Sequence, residues 1–215
     1  LHATEEEINR SKIEILSGLM RLRQICDTPK LFMEDYNGES GKLESLRELL
    51  EQIQGGNHRV LIFSQFRGML DIIEEELGQM GLESFKITGS TPAKDRQEMT
   101  KAFNQGERSA FLISLKAGGV GLNLTGANTV ILVDLWWNPA VEAQAIGRAH
   151  RIGQERNVKV YRMITRGTIE EKIQELQDTK RNLVSTILDG AESRSSLSME
   201  EIREILGISS ESLEK

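Results

Sequence analysis

A chain of 215 residues, 38% of them apolar and 28% charged, has the composition of a globular protein with a core of its own, and no apolar run approaches the ~20 residues that span a bilayer. The net charge of −6 argues at first against a nucleic-acid partner, but it is unevenly spread: residues 1–57 carry net −4, residues 58–166 net +3 and residues 167–215 net −5. Cys26 is the single cysteine, and His2, His58 and His150 stand far apart, which excludes a disulfide framework and a Cys- or His-built zinc site and points to a reducing compartment.

The N-terminus is acidic and lacks the basic and apolar regions of a signal peptide. An opening Leu1 in place of Met is expected of a piece cut from a longer chain. Thr4 and Glu7 form a capping box, followed by Ile8, Ile15, Leu19 and Leu22 at helical spacing up to Pro29. Ser40 caps a second expected helix carrying Leu43, Leu46, Leu50 and Ile53, stopped by Gly55-Gly56.

From there the pattern alternates. Val60 to Phe63 is an apolar run suited to a strand buried on both faces, and a helix through Leu70, Ile73 and Leu77 follows to Gly81. Ser84 to Ile87 is a second strand. Thr91-Pro92 predicts an N-cap and first-turn proline for a helix reaching about Asn104. Ala110 to Ser114 and Thr129 to Val133 are further strands. Asn138-Pro139 opens a helix through Ala140, Ala143 and Ala149, and Asn157 to Met163 is a fifth strand. This alternation predicts an α/β fold, a parallel sheet covered by helices with right-handed crossovers. Thr168 and Glu171 open a helix of about twenty residues. After the Ser/Gly-rich stretch 189–196, Ser198 and Glu201 open a last short helix, with Leu197 and Ile202 at its staple positions.

Four stretches carry candidate chemistry. On a continuous helix, Gln144, Arg148 and Arg151 stand at i, i+4 and i+7 and share a face. Two co-facial guanidiniums call for an anion between them, and their fixed forks suit a triphosphate; a surface pair facing solvent or a partner carboxylate has the same spacing. Ser114 to Thr125 follows a strand and holds Lys116, Ala117, Gly118, Gly119 and Gly121. Its glycines let backbone N–H groups turn toward an anion, or simply allow a tight turn. Asp134-Leu-Trp136-Trp137-Asn138-Pro139 places both tryptophans at the C-terminal end of a strand, where ligands collect in open α/β sheets. One ring stacks against a nucleic acid or facing domain, or one anchors the core while the other lines the rim. Thr88-Gly89-Ser90-Thr91 precedes a helix, where free amides attract phosphate or hydroxyls merely cap. Neither a Walker A lysine nor an acidic magnesium box occurs, so the chain has no complete ATP site of its own.

In order and spacing, Val60–Phe66, Thr88–Arg96, Ser114–Thr125, Asp134–Pro139 and Gln144–Gln154 resemble motifs IV, IVa, V, Va and VI of the Snf-type (sucrose-nonfermenting) chromatin-remodelling ATPases. These are double-stranded DNA translocases of helicase superfamily two. The resemblance covers about residues 40–190 and is to the C-terminal lobe alone. It implies a three-layer RecA-like lobe over residues 40–166, a helical lead-in over 1–39, a brace-like helix over 167–190, and a linker with a short C-terminal helix over 191–215. It implies that Arg148 and Arg151 are arginine fingers for ATP held, with Mg2+, on an N-terminal lobe of the same chain, and that Gln144 orients them or touches the γ-phosphate. Gly119 and Gly121 would lie near the ribose. Ser90, Thr91, Lys116, Ala117 and Gly118 would hold phosphates of one strand of duplex DNA, and Trp137 with Asn138 would contact the DNA. By itself the fragment would bind no cofactor or metal and hydrolyse nothing; its partners would be DNA, the other lobe and a protein cargo, with no membrane. Such a motor works at the nucleoid in the cytoplasm of a bacterium or archaeon and in the nucleus of a eukaryote. The alternative is a stand-alone module that binds nucleic acid or protein without catalysis.

Overall fold

The computed structural model describes residues 5–33, 35–56, 58–118, 122–149, 157–186 and 197–206. Five parallel strands form one sheet: β1 (Val60–Ser64), β2 (Ser84–Ile87), β3 (Ala110–Ser114), β4 (Thr129–Leu132) and β5 (Lys159–Arg162). Their spatial order is β2-β3-β1-β4-β5. β1 is the centre, with Val60 level with both Ala110 and Thr129. β1, β3 and β4 are buried along their whole length, as their unbroken apolar runs predict.

Alternate side chains feed two cores. Val60, Ile62, Leu112 and Ile131 pack against α2 (Gly41–Gly55) and α3 (Arg67–Gln79), through Leu46, Leu50, Met69, Leu70 and Ile73. Leu61, Phe63, Phe111, Ile113 and Val130 point the other way, against Phe103 of α4 (Ala93–Asn104), Ala117 of the one-turn α5 (Leu115–Gly118) and Ala145 of α6 (Pro139–Ile146). A third cluster lies outside the sheet. Leu19 of α1 (Glu5–Asp27), Ile173 and Leu176 of α7 (Ile169–Thr186), and Ile202 and Ile205 of α8 (Met199–Leu206) close over Leu135 and Trp137. The short C-terminal helix therefore completes the fold.

Local signals explain most boundaries. Ser40 Oγ accepts from the Leu43 N–H, and Asn138 Oδ1 accepts from the Ala140 N–H with Pro139 behind it. Ser198 and Glu201 form a reciprocal capping box. The one at Thr168 is displaced, since Glu171 reaches back to the Gly167 N–H. Gly81 and Gly167 end their segments at φ +71°, a conformation that disfavours any Cβ. Two expectations shift. Thr91 does not cap α4; its Oγ1 accepts from the Thr88 N–H, and Pro92 takes the cap position without a side-chain bond. The helix from Pro139 ends at Ile146, short of Arg148 and Ala149, because the amides of those two residues reach back only three positions, to Ala145 and Ile146.

The helical layer is fastened to the sheet by buried charge. Lys42 Nζ donates to Asp27 of α1 at 2.8 Å, to both oxygens of Glu170 of α7 at 2.6 and 2.8 Å, and to the Val133 carbonyl at 3.0 Å. Burial alone would lower the Lys42 pKa, but Asp27 and Glu170 more than offset it and leave it above its ordinary value. Beside this group lie Arg23 and Asp134, both buried and 3.9 Å apart. Three carboxylates thus face two cations. Desolvation and the charge of Asp134 push the Asp27 pKa well up, and its Oδ2 has no hydrogen-bond partner among the described residues.

Lys42→Ala leaves two buried carboxylates without their cation and is expected to cost about 3–5 kcal/mol in urea-induced unfolding. Asp27→Asn is expected to be tolerated, because Asn keeps the acceptor for Lys42. A native pKa above the unfolded 3.8 means that Asp27 contributes less stability as pH rises from there through its native value. Unfolding curves collected between about pH 4 and pH 8 should show that falling limb in the wild type and not in Asp27→Asn.

Candidate nucleotide and nucleic-acid interface

All five strands run the same way, so the segments after β1, β2, β3 and β4 emerge on one edge of the sheet. From β1 the chain winds toward β2; from β4 it winds toward β5. The winding reverses between β1 and β4, which is where open α/β sheets form their binding crevice. The residues at that point are Ser64, Gln65 and Asp134. The Asp134 carboxylate accepts from Ser64 Oγ, from the Gln65 N–H at 3.1 Å and from Gln65 Nε2 at 2.7 Å. Burial raises its pKa, opposed by Arg23, Ser64 and Gln65.

After β2 the chain makes the turn Thr88–Thr91. Arg96, one helical turn into α4, holds it from beneath. Its Nε donates to the Thr91 carbonyl at 2.7 Å, and its Nη2 donates to the Thr88 and Gly89 carbonyls at 3.3 and 3.1 Å. Ser90 is exposed, and its hydroxyl meets that of Thr88 at 2.9 Å. One guanidinium thus occupies three carbonyls of a four-residue turn and leaves the hydroxyl edge facing water. Sequence inspection named Ser90 and Thr91 but gave Arg96 no role, because an arginine on a solvated helix has no mark that separates it from its neighbours.

After β3 the backbone of Lys116, Ala117 and Gly118 closes one helical turn where a glycine loop was expected. Gly119 and Gly121 lie outside the described residues. Ala117, Leu122, Leu124, Ala145 and Ala149 share one buried cluster, and the Leu124 N–H donates to the Arg148 carbonyl at 3.0 Å. The glycine-bearing segment and the arginine turn are therefore brought together. Gln144 is exposed and Arg148 is 6% exposed; Arg151 lies outside the described residues. The shared helical face expected for Gln144, Arg148 and Arg151 is interrupted at Gly147, which caps α6. A Cβ there would meet the Ala143 carbonyl at 3.2 Å, so glycine suits the tight turn.

After β4 come the tryptophans, their ring centres 5.3 Å apart. Trp137 is the anchor at 8% exposure, while Trp136 and Asn138 stand half-buried at the rim. Glu142, fully buried, organises the loop from α6: its Oε1 accepts from the Trp136 N–H at 3.0 Å and from Gln177 Nε2 of α7 at 2.5 Å, and its Oε2 faces Arg162 at 3.2 Å. Gln177 also donates to the Trp136 carbonyl. Glu142 and Gln177 escaped the sequence reading because a helix pattern gives no sign that a polar residue is buried. Among the described residues no group of three or more His, Cys, Asp or Glu is placed to hold a metal ion, and no helix is long and apolar enough to cross a membrane.

Residues 41–153 match the family model of the helicase conserved C-terminal domain. The chain is 42% identical over 214 residues to the Bacillus subtilis protein YwqA, covering 97% of this chain and 23% of that one. It is 42% identical over 190 residues to the mouse SWI/SNF-related matrix-associated actin-dependent regulator of chromatin subfamily A member 1, covering 82% and 18%. Among solved structures, the Sulfolobus solfataricus SWI2/SNF2 ATPase core domain aligns with a TM-score of 0.72 at 35% identity, over 94% of this chain and 42% of that one. The chain spans less than a quarter of the length of either curated relative.

Arg96→Ala is expected to lower global stability by about 1–2 kcal/mol, the net value of hydrogen bonds from a charged donor at a part-buried site. Amide exchange at Thr88 to Thr91 should speed up far more than that loss alone explains. Exchange that tracks only global stability would show that Arg96 does not hold the turn.

Proposed function

The chain belongs to the helicase conserved C-terminal domain family, with SWI/SNF-type ATPases among its relatives, and from that membership we propose that it is the C-terminal motor lobe of an ATP-dependent double-stranded DNA translocase. The observation that carries the reading is the gathering of four family motifs on one edge of one sheet, with Ala117, Leu124, Ala145 and Ala149 tying the arginine turn to the segment after β3.

In this reading the nucleotide sits mainly on a preceding N-terminal lobe. That lobe supplies the Mg2+ site and the phosphate loop. This chain supplies charge. Arg148 and Arg151 approach the transferring phosphoryl group when the lobes close, and Gln144, exposed on α6, steers them. Arg148 is folded inward in the single lobe, so its use requires the side chain to swing out on closure. Gly119 and Gly121 flank the ribose.

The DNA side uses the other turns. Ser90 and Thr91 on the Arg96-braced turn, with Lys116, Ala117 and Gly118 at the start of α5, hold the backbone of one strand. The tryptophan loop adds contact through Trp136 and Asn138 at its rim, with Trp137 as the buried pivot. Contacts of this kind grip DNA without reading its sequence, as a translocating motor requires. The surroundings of these turns carry the +3 of residues 58–166, despite the acidic total. ATP binding closes the two lobes, hydrolysis releases them, and alternating grip moves the protein along the duplex.

The test is Arg151→Ala in a chain that includes the N-terminal lobe. DNA-stimulated ATP hydrolysis should fall by about 10³-fold or more, the worth of an arginine finger elsewhere, with the unfolding midpoint unchanged. Turnover close to the wild type would overturn the finger assignment. Duplex binding by an intact protein that never turns over ATP would leave a binding module in its place.

A further inference from the structure

Arg23 belongs to α1 and lies outside residues 41–153, the part matched by the family model. Its side chain nevertheless ends in the middle of the interface. It is fully buried. Nη1 donates to Gln65 Oε1 at 2.7 Å, just past the end of β1, and Nη2 donates to the Leu135 carbonyl, just past the end of β4. The plane of the group lies over Trp137, 4.4 Å from the ring centre, with Phe66 at 5.6 Å and Trp136 at 5.8 Å. Asp134 supplies the facing charge at 3.9 Å.

A guanidinium is costly to desolvate, and here the cost is not fully recovered, since Nε has no hydrogen-bond partner among the described residues. A leucine would fill the space at lower cost. What the leucine lacks is direction. The rigid fork fixes two acceptors that follow different strands, and the flat face fixes the tilt of one indole. The tryptophan loop is the only described segment that all of these contacts bear on or border.

We propose that Arg23 is a positioning residue for the tryptophan loop: it holds Leu135 and the Trp137 ring so that Trp136 and Asn138 stand at the rim, which makes the lead-in helix α1 part of the DNA-gripping apparatus. The proposal rests on the reading of this loop as a DNA contact.

The experiment uses Arg23→Lys in the 215-residue chain, with three measurements. Far-UV circular dichroism during urea unfolding reports folding. Tryptophan emission with acrylamide quenching reports the loop, since the chain has only two tryptophans and both are in it. Anisotropy of a labelled mixed-sequence duplex, titrated at several salt concentrations, reports binding. Lysine keeps the charge but loses the fork and the plane. The expected result is a cooperative fold, emission moved to the red, stronger quenching, and duplex affinity lowered about tenfold with its salt slope unchanged, because no phosphate contact is lost.

A folded variant with wild-type emission and quenching overturns the positioning role. Loosened tryptophans with wild-type affinity overturn the functional half by a separate route, showing that the loop does not touch DNA. Should Arg23→Lys fail to fold, Gln65→Ala takes its place. It removes one acceptor while the guanidinium stays buried, and emission that does not move to the red there overturns the proposal.

Discussion

Two cations and three carboxylates lie under the helical layer where β1 and β4 end, and the arrangement of the whole lobe follows from them. A parallel strand leaves its ladder with carbonyls that the next turn does not satisfy, and burying them unpaired is costly. Lys42 takes the Val133 carbonyl and Arg23 takes the Leu135 carbonyl. Each cation then needs its own counter-charge, which Asp27, Glu170 and Asp134 provide. The five side chains come from α1, α2, α7 and the end of β4. One local requirement, closing the end of a buried strand, thereby ties segments far apart in the chain into a single body.

The sheet and this polar joint divide the work of the interface. The sheet gives a rigid edge on which every turn is aimed in the same direction. Two of the turns are braced by side chains from neighbouring helices: Arg96 at Thr88–Thr91, and Glu142 with Gln177 behind Trp136. Bracing of this kind fixes the turns before any ligand arrives, so less ordering entropy is lost on binding.

Much of this was legible beforehand. The β-α alternation, the fully apolar runs of β1, β3 and β4, and the caps at Ser40, Asn138 and Ser198 all follow from local chemistry, which is why the elements fall where periodicity places them. The motif turns were legible for the same reason: glycine, proline and hydroxyl residues act within a few positions of themselves. What stayed hidden depends on distant partners. Lys42, Arg23 and Glu142 look like ordinary solvent-facing charges on helices, and only the folded chain buries them. The early end of α6 was also hidden, because no residue near Arg148 marks its amide and that of Ala149 as reaching back only three positions. Adjacent tryptophans left open a stacking ring or a core anchor with a rim partner, and the resemblance put Trp137 on the DNA; its burial under Arg23 makes Trp137 the anchor.

The span between Lys42 and Glu170 has a consequence for biogenesis. These residues are 128 positions apart, so on a ribosome the lysine emerges long before its carboxylate partner exists. Until α7 is made, Lys42 lacks one of its two carboxylate partners, and Leu19 of α1 and Trp137 lack the cover that α7 and α8 supply. Assembly of the helical layer is therefore a late event governed by the closure of a long loop. A nascent chain halted before α7 would have its sheet strands complete yet its cap open, a ready substrate for chaperones and for proteolytic clearance.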